Sequence, residues 1–116
     1  MTTIYQRSRA ERLREAQAIL ARMKERHPNA FPRPPRPLRV GIRDEFIAAG
    51  WTEAEVSTAL SYYLSTESYL KATIAAGAFR IDLRGLPVAP VQPHEAQWAR
   101  SRLHGPFSYS DVHWRK

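Results

Sequence analysis

Five prolines fall within the ten residues Pro28 to Pro37, at positions 28, 32, 34, 35 and 37. Each lacks a backbone N–H and holds φ at about −65°, so neither a helix nor an interior sheet strand can run through them. The stretch from His27 to Leu38 is therefore expected to be extended, a stiff connector laid across the domain. Phe31 and then Leu38, Val40 and Ile42 are its expected core anchors, and Arg33, Arg36, Arg39 and Arg43 project from it and its continuation. Alternation of Leu38, Val40 and Ile42 with Arg39 predicts a short half-buried strand with Arg39 on the outer side. A ligand for a proline-binding module is the competing reading, and the apolar anchors close by weigh against it.

Helical patterns stand on both sides of this arm. Upstream, residues from about Thr3 to Arg26 place Leu13, Ala16, Leu20 and Met23 on one narrow stripe, with Arg7, Arg9, Arg12, Arg14, Arg22 and Arg26 around it as a basic rail. Surface pairs with Glu11, Glu15 and Glu25 are the ordinary alternative for those arginines. Downstream, Ile42, Phe46 and Ile47 begin a short helix that Gly50 can close in a left-handed cap, and Trp51 is expected in the core. Thr52-x-x-Glu55 is a capping box opening the next helix, whose apolar face is Val56, Ala59, Leu60 and Tyr63. That pattern stops at Ser65. A further helix carries Tyr69, Leu70 and Ile74 and is expected to stop at Gly77.

The remainder supplies the β structure. Phe79-Arg80-Ile81-Asp82-Leu83 alternates apolar with charged residues, as a strand with one wet face does. Arg84-Gly85 makes a turn, and Pro87 to Val91 can return only as an edge strand or irregular arm. Pro93 suits the first turn of a last helix in which Ala96, Ala99 and Leu103 share a face, with Trp98 close by, before Gly105-Pro106 ends it. The expectation is an α+β fold, a mainly helical single domain with a small β-hairpin. Its parts are a basic N-terminal helix over 1–26, a domain over 27–103 and a tail over 104–116 that can pack back, contact a ligand or stay unstructured.

The chain has 116 residues, no cysteine and a formal net charge of +7. One domain fits that length. Disulfides, thiolate metal sites and cysteine nucleophiles are excluded. No apolar run resembles a secretory signal or reaches membrane-spanning length, so a cytoplasmic location without a membrane partner is the default expectation. The charge is unevenly placed. Residues 1–43 hold ten Arg and one Lys against three Glu, a net of +8, whereas residues 44–116 hold seven bases against eight acids, a net of −1. Such asymmetry points to an acidic polymer as partner, with nucleic acid ahead of an anionic membrane. Catalysis is not favoured. The four histidines lack metal-ligand spacing, there is no glycine-rich phosphate loop, and neither cofactor nor metal is expected.

The site is expected where the two helices meet, between Ala59 and Lys71. Ser65 or Thr66 can cap the second helix while its other first-turn N–H groups remain unpartnered, and with the helix dipole these donors suit a phosphate. Ser68 adds a hydroxyl. Tyr63 and Tyr69 flank the break, a suitable arrangement for an unpaired nucleotide whose base stacks while its backbone is held.

Ala59-Leu60-x-x-Tyr63-x-Ser65-x-x-x-Tyr69-Leu70, with Pro37-Leu38-Arg39-Val40-Gly41-Ile42 before it and Gly77-Ala78-Phe79-Arg80-Ile81-Asp82-Leu83-x-Gly85 after it, closely resembles the RNA-binding domain of the ProQ/FinO RNA chaperones. The resemblance runs from about His27 to Leu103 and includes a lead-in, His27-Pro28-x-x-Phe31. It implies recognition of structured RNA, terminator-like hairpins with a single-stranded 3′ tail, in small-RNA regulation, by a chain expected to be monomeric. On this likeness the junction from Tyr63 through Ser65, Thr66 and Ser68 to Tyr69 holds the tail, Arg39, Arg43 and Arg80 contact backbone, and Lys71 assists. Ser61, Glu67 and Ser68 depart from the basic or aromatic residues common at these positions, which removes part of the duplex-facing charge. Two other classes compete: a duplex-DNA binder using the helix after Thr52, disfavoured by Glu53 and Glu55 at its start, and a protein-interaction adaptor on a ribosome or polymerase.

Overall fold

The computed structural model describes residues 8–104. Its elements, in order, are α1 (Arg9–Arg26), a 3₁₀ turn (Pro28–Ala30), α2 (Ile42–Ala48), α3 (Glu53–Tyr63), α4 (Glu67–Ile74), β1 (Phe79–Ile81), β2 (Pro87–Pro90) and α5 (Pro93–His104). This is the expected α+β fold, with five α-helices and one two-stranded antiparallel sheet among the described residues. The expectations for Thr3 to Arg7, for Gly105-Pro106 and for the tail lie outside them.

Helix α1 follows Ser8, which is extended and forms a capping box. Its hydroxyl accepts from the Glu11 amide at 3.1 Å, and its own amide donates to the Glu11 carboxylate at 2.8 Å. The buried stripe is Ala16, Ile19, Leu20 and Met23, with Leu13 only half-buried, and it packs against α3. Thr52 and Glu55 form the expected box at the start of α3, whose buried face is Val56, Ala59, Leu60 and Tyr63 as read from the spacing. Gly50, at φ 110°, closes α2: its amide donates to Ile47 O and the Trp51 amide to Phe46 O, the paired bonds of a Schellman cap. Trp51 is buried.

The proline arm departs from expectation twice. Pro28 sits at the first position of a 3₁₀ turn, where a missing N–H costs nothing, so the extended run starts only after Ala30. At its far end the half-buried strand reduces to one parallel bridge, Leu38 to Ile81, held by Arg39 N to Ile81 O and Ile81 N to Pro37 O. Arg39 to Ile42 then form a turn closed by the Ile42 amide on Arg39 O, with Gly41 at φ 91°, the left-handed value a type II turn requires at its third position. The turn throws Val40 outward, 70% exposed, while Leu38 and Ile42 remain buried.

Strand β1 is shorter than expected and its inner residue is Ile81; Phe79 is exposed. It pairs with β2 in the register Phe79 with Pro90, Arg80 with Ala89 and Ile81 with Pro87, so Val88 bulges. The prolines of β2 lie on the sheet's edge, where no ladder donor is lost. Helix α4 ends at Ile74, before Gly77, which sits in a turn closed by the Ala78 amide on Ala75 O. Helix α5 starts at Pro93, packs on α4 through the fully buried Ala99, and leaves Trp98 outside. An aromatic row crosses the core, with centroid separations of 5.4 Å for His27 and Phe46, 5.9 Å for Phe46 and Phe31, 5.0 Å for Phe31 and Tyr63, and 5.2 Å for Tyr63 and Tyr69. No helix among the described residues is long and apolar enough to cross a membrane.

Candidate nucleic-acid interface

The helix junction forms where the sequence places it, but its hydroxyls face backwards. Ser65 Oγ donates to Tyr62 O at 2.8 Å and Thr66 Oγ1 donates to Tyr63 O at 2.7 Å, closing the end of α3. Neither side chain caps α4, although Thr66 occupies the N-cap position. The expected capping role is therefore corrected: each hydroxyl adds a second bond to a last-turn carbonyl of α3, which also accepts the amide of the same residue. The first intrahelical bond of α4 is Leu70 N to Thr66 O, so the amides of Glu67, Ser68 and Tyr69 precede the helical ladder. The donors available at this helix start are backbone amides.

Eight of the nine expected residues distribute over three concavities. Arg39, Arg43, Tyr69 and Arg80 line one of about 540 Å³, together with Ser57 and Ser61 of α3. Tyr63, Thr66 and Ser68 line a second of about 500 Å³, between α1, the proline arm and the junction. Ser68 and Lys71 line a third of about 830 Å³ along the arm and α4. Ser65 lines none of the three and is only 2% exposed.

Both tyrosines belong to the core, Tyr63 at 5% and Tyr69 at 6% exposure, so a wall of each ring rather than a free face is available. Burial pushes the Tyr63 phenol well above the usual tyrosine range and raises that of Tyr69, so both stay protonated. They differ in partners. The Tyr69 hydroxyl accepts from the Leu38 amide, whereas the Tyr63 hydroxyl has no hydrogen-bond partner among the described residues.

The cations differ in the same way. Arg80 is braced, donating to Leu38 O at 2.8 Å and pairing with Glu95 at 3.2 Å. A bond from the Gln92 amide, aided by Arg80, holds the Glu95 carboxyl below the usual glutamate range. Arg39 pairs with Glu45, and Lys71 with Glu67 at 3.0 Å. Arg43 donates to a neutral hydroxyl, Ser57 Oγ, at 2.6 Å and so keeps its charge uncompensated. On α1 the expected rail is partly committed: Arg22 pairs with Glu55 at 3.1 Å, and Arg22 and Arg26 lie 5.1 and 4.7 Å from the Trp51 ring centroid.

Two cations at the second concavity were not among the expected site residues. Lys24 Nζ lies 5.8 Å from the Tyr63 ring centroid, and Arg33 enters from the arm without a hydrogen bond or ion pair to any described residue. The signal for Lys24 was its place one turn beyond Leu20, on the side that packs toward α3. Lys24 and Arg33 thus line one concavity with Tyr63, Thr66 and Ser68 at the start of α4, a pairing of cations and hydroxyls whose chemistry suits an anion.

The ProQ/FINO family model matches residues 13–109, reaching back from the lead-in at His27 into α1. The fold is similar to that of a FinO-like RNA chaperone from Neisseria meningitidis MC58, at 26% identity and a TM-score of 0.65, covering 82% of this chain and 97% of that one. It is also similar to a ProQ homolog from Legionella pneumophila, at 24% identity and a TM-score of 0.64, covering 91% of this chain and 88% of that one. No curated protein sequence gives a significant match. A family match over most of the described residues, on the fold those two structures share, means that this chain belongs to the ProQ/FinO family.

Proposed function

We propose that this protein is a cytoplasmic RNA chaperone that binds structured RNA, with a preference for hairpins ending in a single-stranded 3′ tail, and serves small-RNA regulation. Family membership and the RNA chaperone from Neisseria with the same fold support the RNA partner. The observation that carries the preference for an end is the concavity beside the start of α4. Lys24, Arg33, Tyr63, Thr66 and Ser68 line about 500 Å³ there, with two cations and the start of α4 at one place, donors enough for a terminal nucleotide.

In this reading Tyr63 donates to the RNA end, the amides of α4 hold the adjoining phosphate, and Thr66 and Ser68 line the wall. Ser65 and Tyr69 act from inside, Ser65 by closing α3 and Tyr69 by fixing the arm. Arg39 and Arg43 take duplex backbone at the first concavity, where Ser57 and Ser61 contribute hydroxyls in place of charge. Arg80 positions Leu38, and Lys71 with Arg36 flanks the path along α4. Fluorescence anisotropy on a 3′-tailed hairpin, with a free 3′-hydroxyl or a 3′-phosphate, tests the reading. The phosphate adds bulk where the concavity takes an end and weakens binding; equal affinity for both overturns end recognition.

A further inference from the structure

Trp98 is the largest apolar side chain left exposed among the described residues, 54% exposed on α5 even though the Arg102 guanidinium lies 4.9 Å from its ring centroid. Isolated exposed apolar residues are normal on protein surfaces, and an indole on a helix far from any site would need no explanation. This one lines two concavities at once. It borders the one of about 540 Å³ that holds Arg39 and Arg43, and a neighbouring one of about 430 Å³ that holds His94 and Glu95. Leu64, Tyr69 and Arg80 line both as well, so the indole stands at their shared rim. Val40, turned outward by the Gly41 turn, adds apolar surface to the first.

We propose that Trp98 is a stacking platform for an unpaired nucleobase of the bound RNA, lying outside the 3′-end concavity and beside the cationic one; this inference rests on the RNA reading above. Charge and shape favour that occupant. Arg39 and Arg80 are matched by Glu45 and Glu95, but Arg43 rests on a neutral hydroxyl, so the mouth beside the indole keeps a positive charge. A polyanion with flat apolar faces satisfies both features, since every base offers a π-face and every linkage a phosphate. A duplex keeps those faces stacked on one another, so the base must be unpaired. Arg102 holds the ring from one side, which reduces the side-chain freedom lost when a base stacks on the open side, and adds a cation–π contribution. The platform also offsets the duplex-facing charge that Ser61 does not supply.

The test compares Trp98→Ala, Trp98→Leu and Trp98→Phe in the full chain, by equilibrium binding to a tailed hairpin and to the same hairpin trimmed blunt, with thermal melting and sedimentation alongside. Trp98→Ala and Trp98→Leu are expected to bind the tailed hairpin roughly 5- to 150-fold more weakly, the range for loss of one base–aromatic stack, with melting unchanged. Trp98→Phe, which keeps a π-face, is expected to retain most of the affinity. If the unaltered chain binds neither RNA, the RNA reading falls and this inference with it. If it binds and Trp98→Ala stays within twofold of it, or Trp98→Leu matches Trp98→Phe, or the blunt hairpin loses as much as the tailed one, the stacking platform alone is overturned. A self-association that disappears with Trp98→Ala while RNA affinity holds also overturns it, in favour of a second copy as occupant.

Discussion

The buried amide of Leu38 donates a 2.8 Å hydrogen bond to the hydroxyl of Tyr69, tying the end of the proline arm to the helix that follows the junction. Arg80 reaches the carbonyl of the same residue at 2.8 Å, so both polar groups of the Leu38 backbone are satisfied by side chains. Removing the acceptor strands a buried donor. Tyr69→Phe is expected to lose about 1–3 kcal/mol of stability and to melt several degrees lower. Its RNA affinity, measured well below the transition, should change less than that of the arginine variants described below. An unchanged melting temperature contradicts the bracing role.

Tyr63 combines a structural ring with a partnerless hydroxyl, and two substitutions separate them. Tyr63→Phe keeps the packing against Phe31 and Tyr69 and is expected to fold normally while losing roughly 0.5–1.5 kcal/mol of RNA binding. Tyr63→Ala opens the core and should lose about 3–5 kcal/mol of stability. Melting and anisotropy on both variants check this, and full affinity in a stable Tyr63→Phe removes the hydroxyl from the site.

Arg39 and Arg43 border the first concavity at modest structural cost, because an exposed pair such as Arg39 with Glu45 contributes only about 0–1 kcal/mol. Replacing both by Ala should weaken binding to different hairpins alike. The slope of log affinity against log salt should fall by roughly 0.7–0.9 for each phosphate that is no longer neutralised. An unchanged slope moves the backbone-binding charge to Lys24, Arg33 and α1.

Acid should loosen the fold at His27. The Trp51 indole N–H donates to His27 Nε2 at 2.9 Å, which requires a neutral imidazole, and burial, helped by the Arg26 charge, lowers its pKa from the ordinary 6.5. A depressed pKa means the unfolded chain binds the proton more readily. The contribution is therefore full above pH 6.5 and is lost as pH falls from there through the folded pKa. Melting temperature against pH should decline over that window, and His27→Gln, which cannot titrate, should flatten the decline. Equal slopes for both proteins refute the assignment.

Local patterns carried much of this fold. The box at Thr52 and Glu55, the Val56 to Tyr63 face, the Gly50 cap and the Pro93 helix start were legible because each depends on neighbours within a turn or two. Most of what failed depended on distant partners. Val40 sits in an alternating pattern indistinguishable from a strand, and only the bridge from Leu38 to Ile81 and the turn after it decide that it faces outward. Ser65 and Thr66 are good caps by type and failed for a local reason: their hydroxyls bond backward to the carbonyls three residues before them. Of the site, the junction could be read, whereas the approach of Lys24 to Tyr63 and the outward face of Trp98 emerge only once α1 packs on α3 and α5 on α4.

The central claim is recognition of an RNA hairpin by its single-stranded 3′ tail, and competition tests it most directly. A labelled 3′-tailed hairpin bound to the full chain is displaced in turn by the same unlabelled hairpin, by that hairpin trimmed of its tail, and by duplex DNA of equal length, at one salt concentration. Recognition of the tail predicts that the tailed RNA competes at the lowest concentration, the trimmed RNA at a clearly higher one and duplex DNA at the highest. Displacement by duplex DNA or trimmed RNA at the same concentration as the tailed hairpin contradicts it.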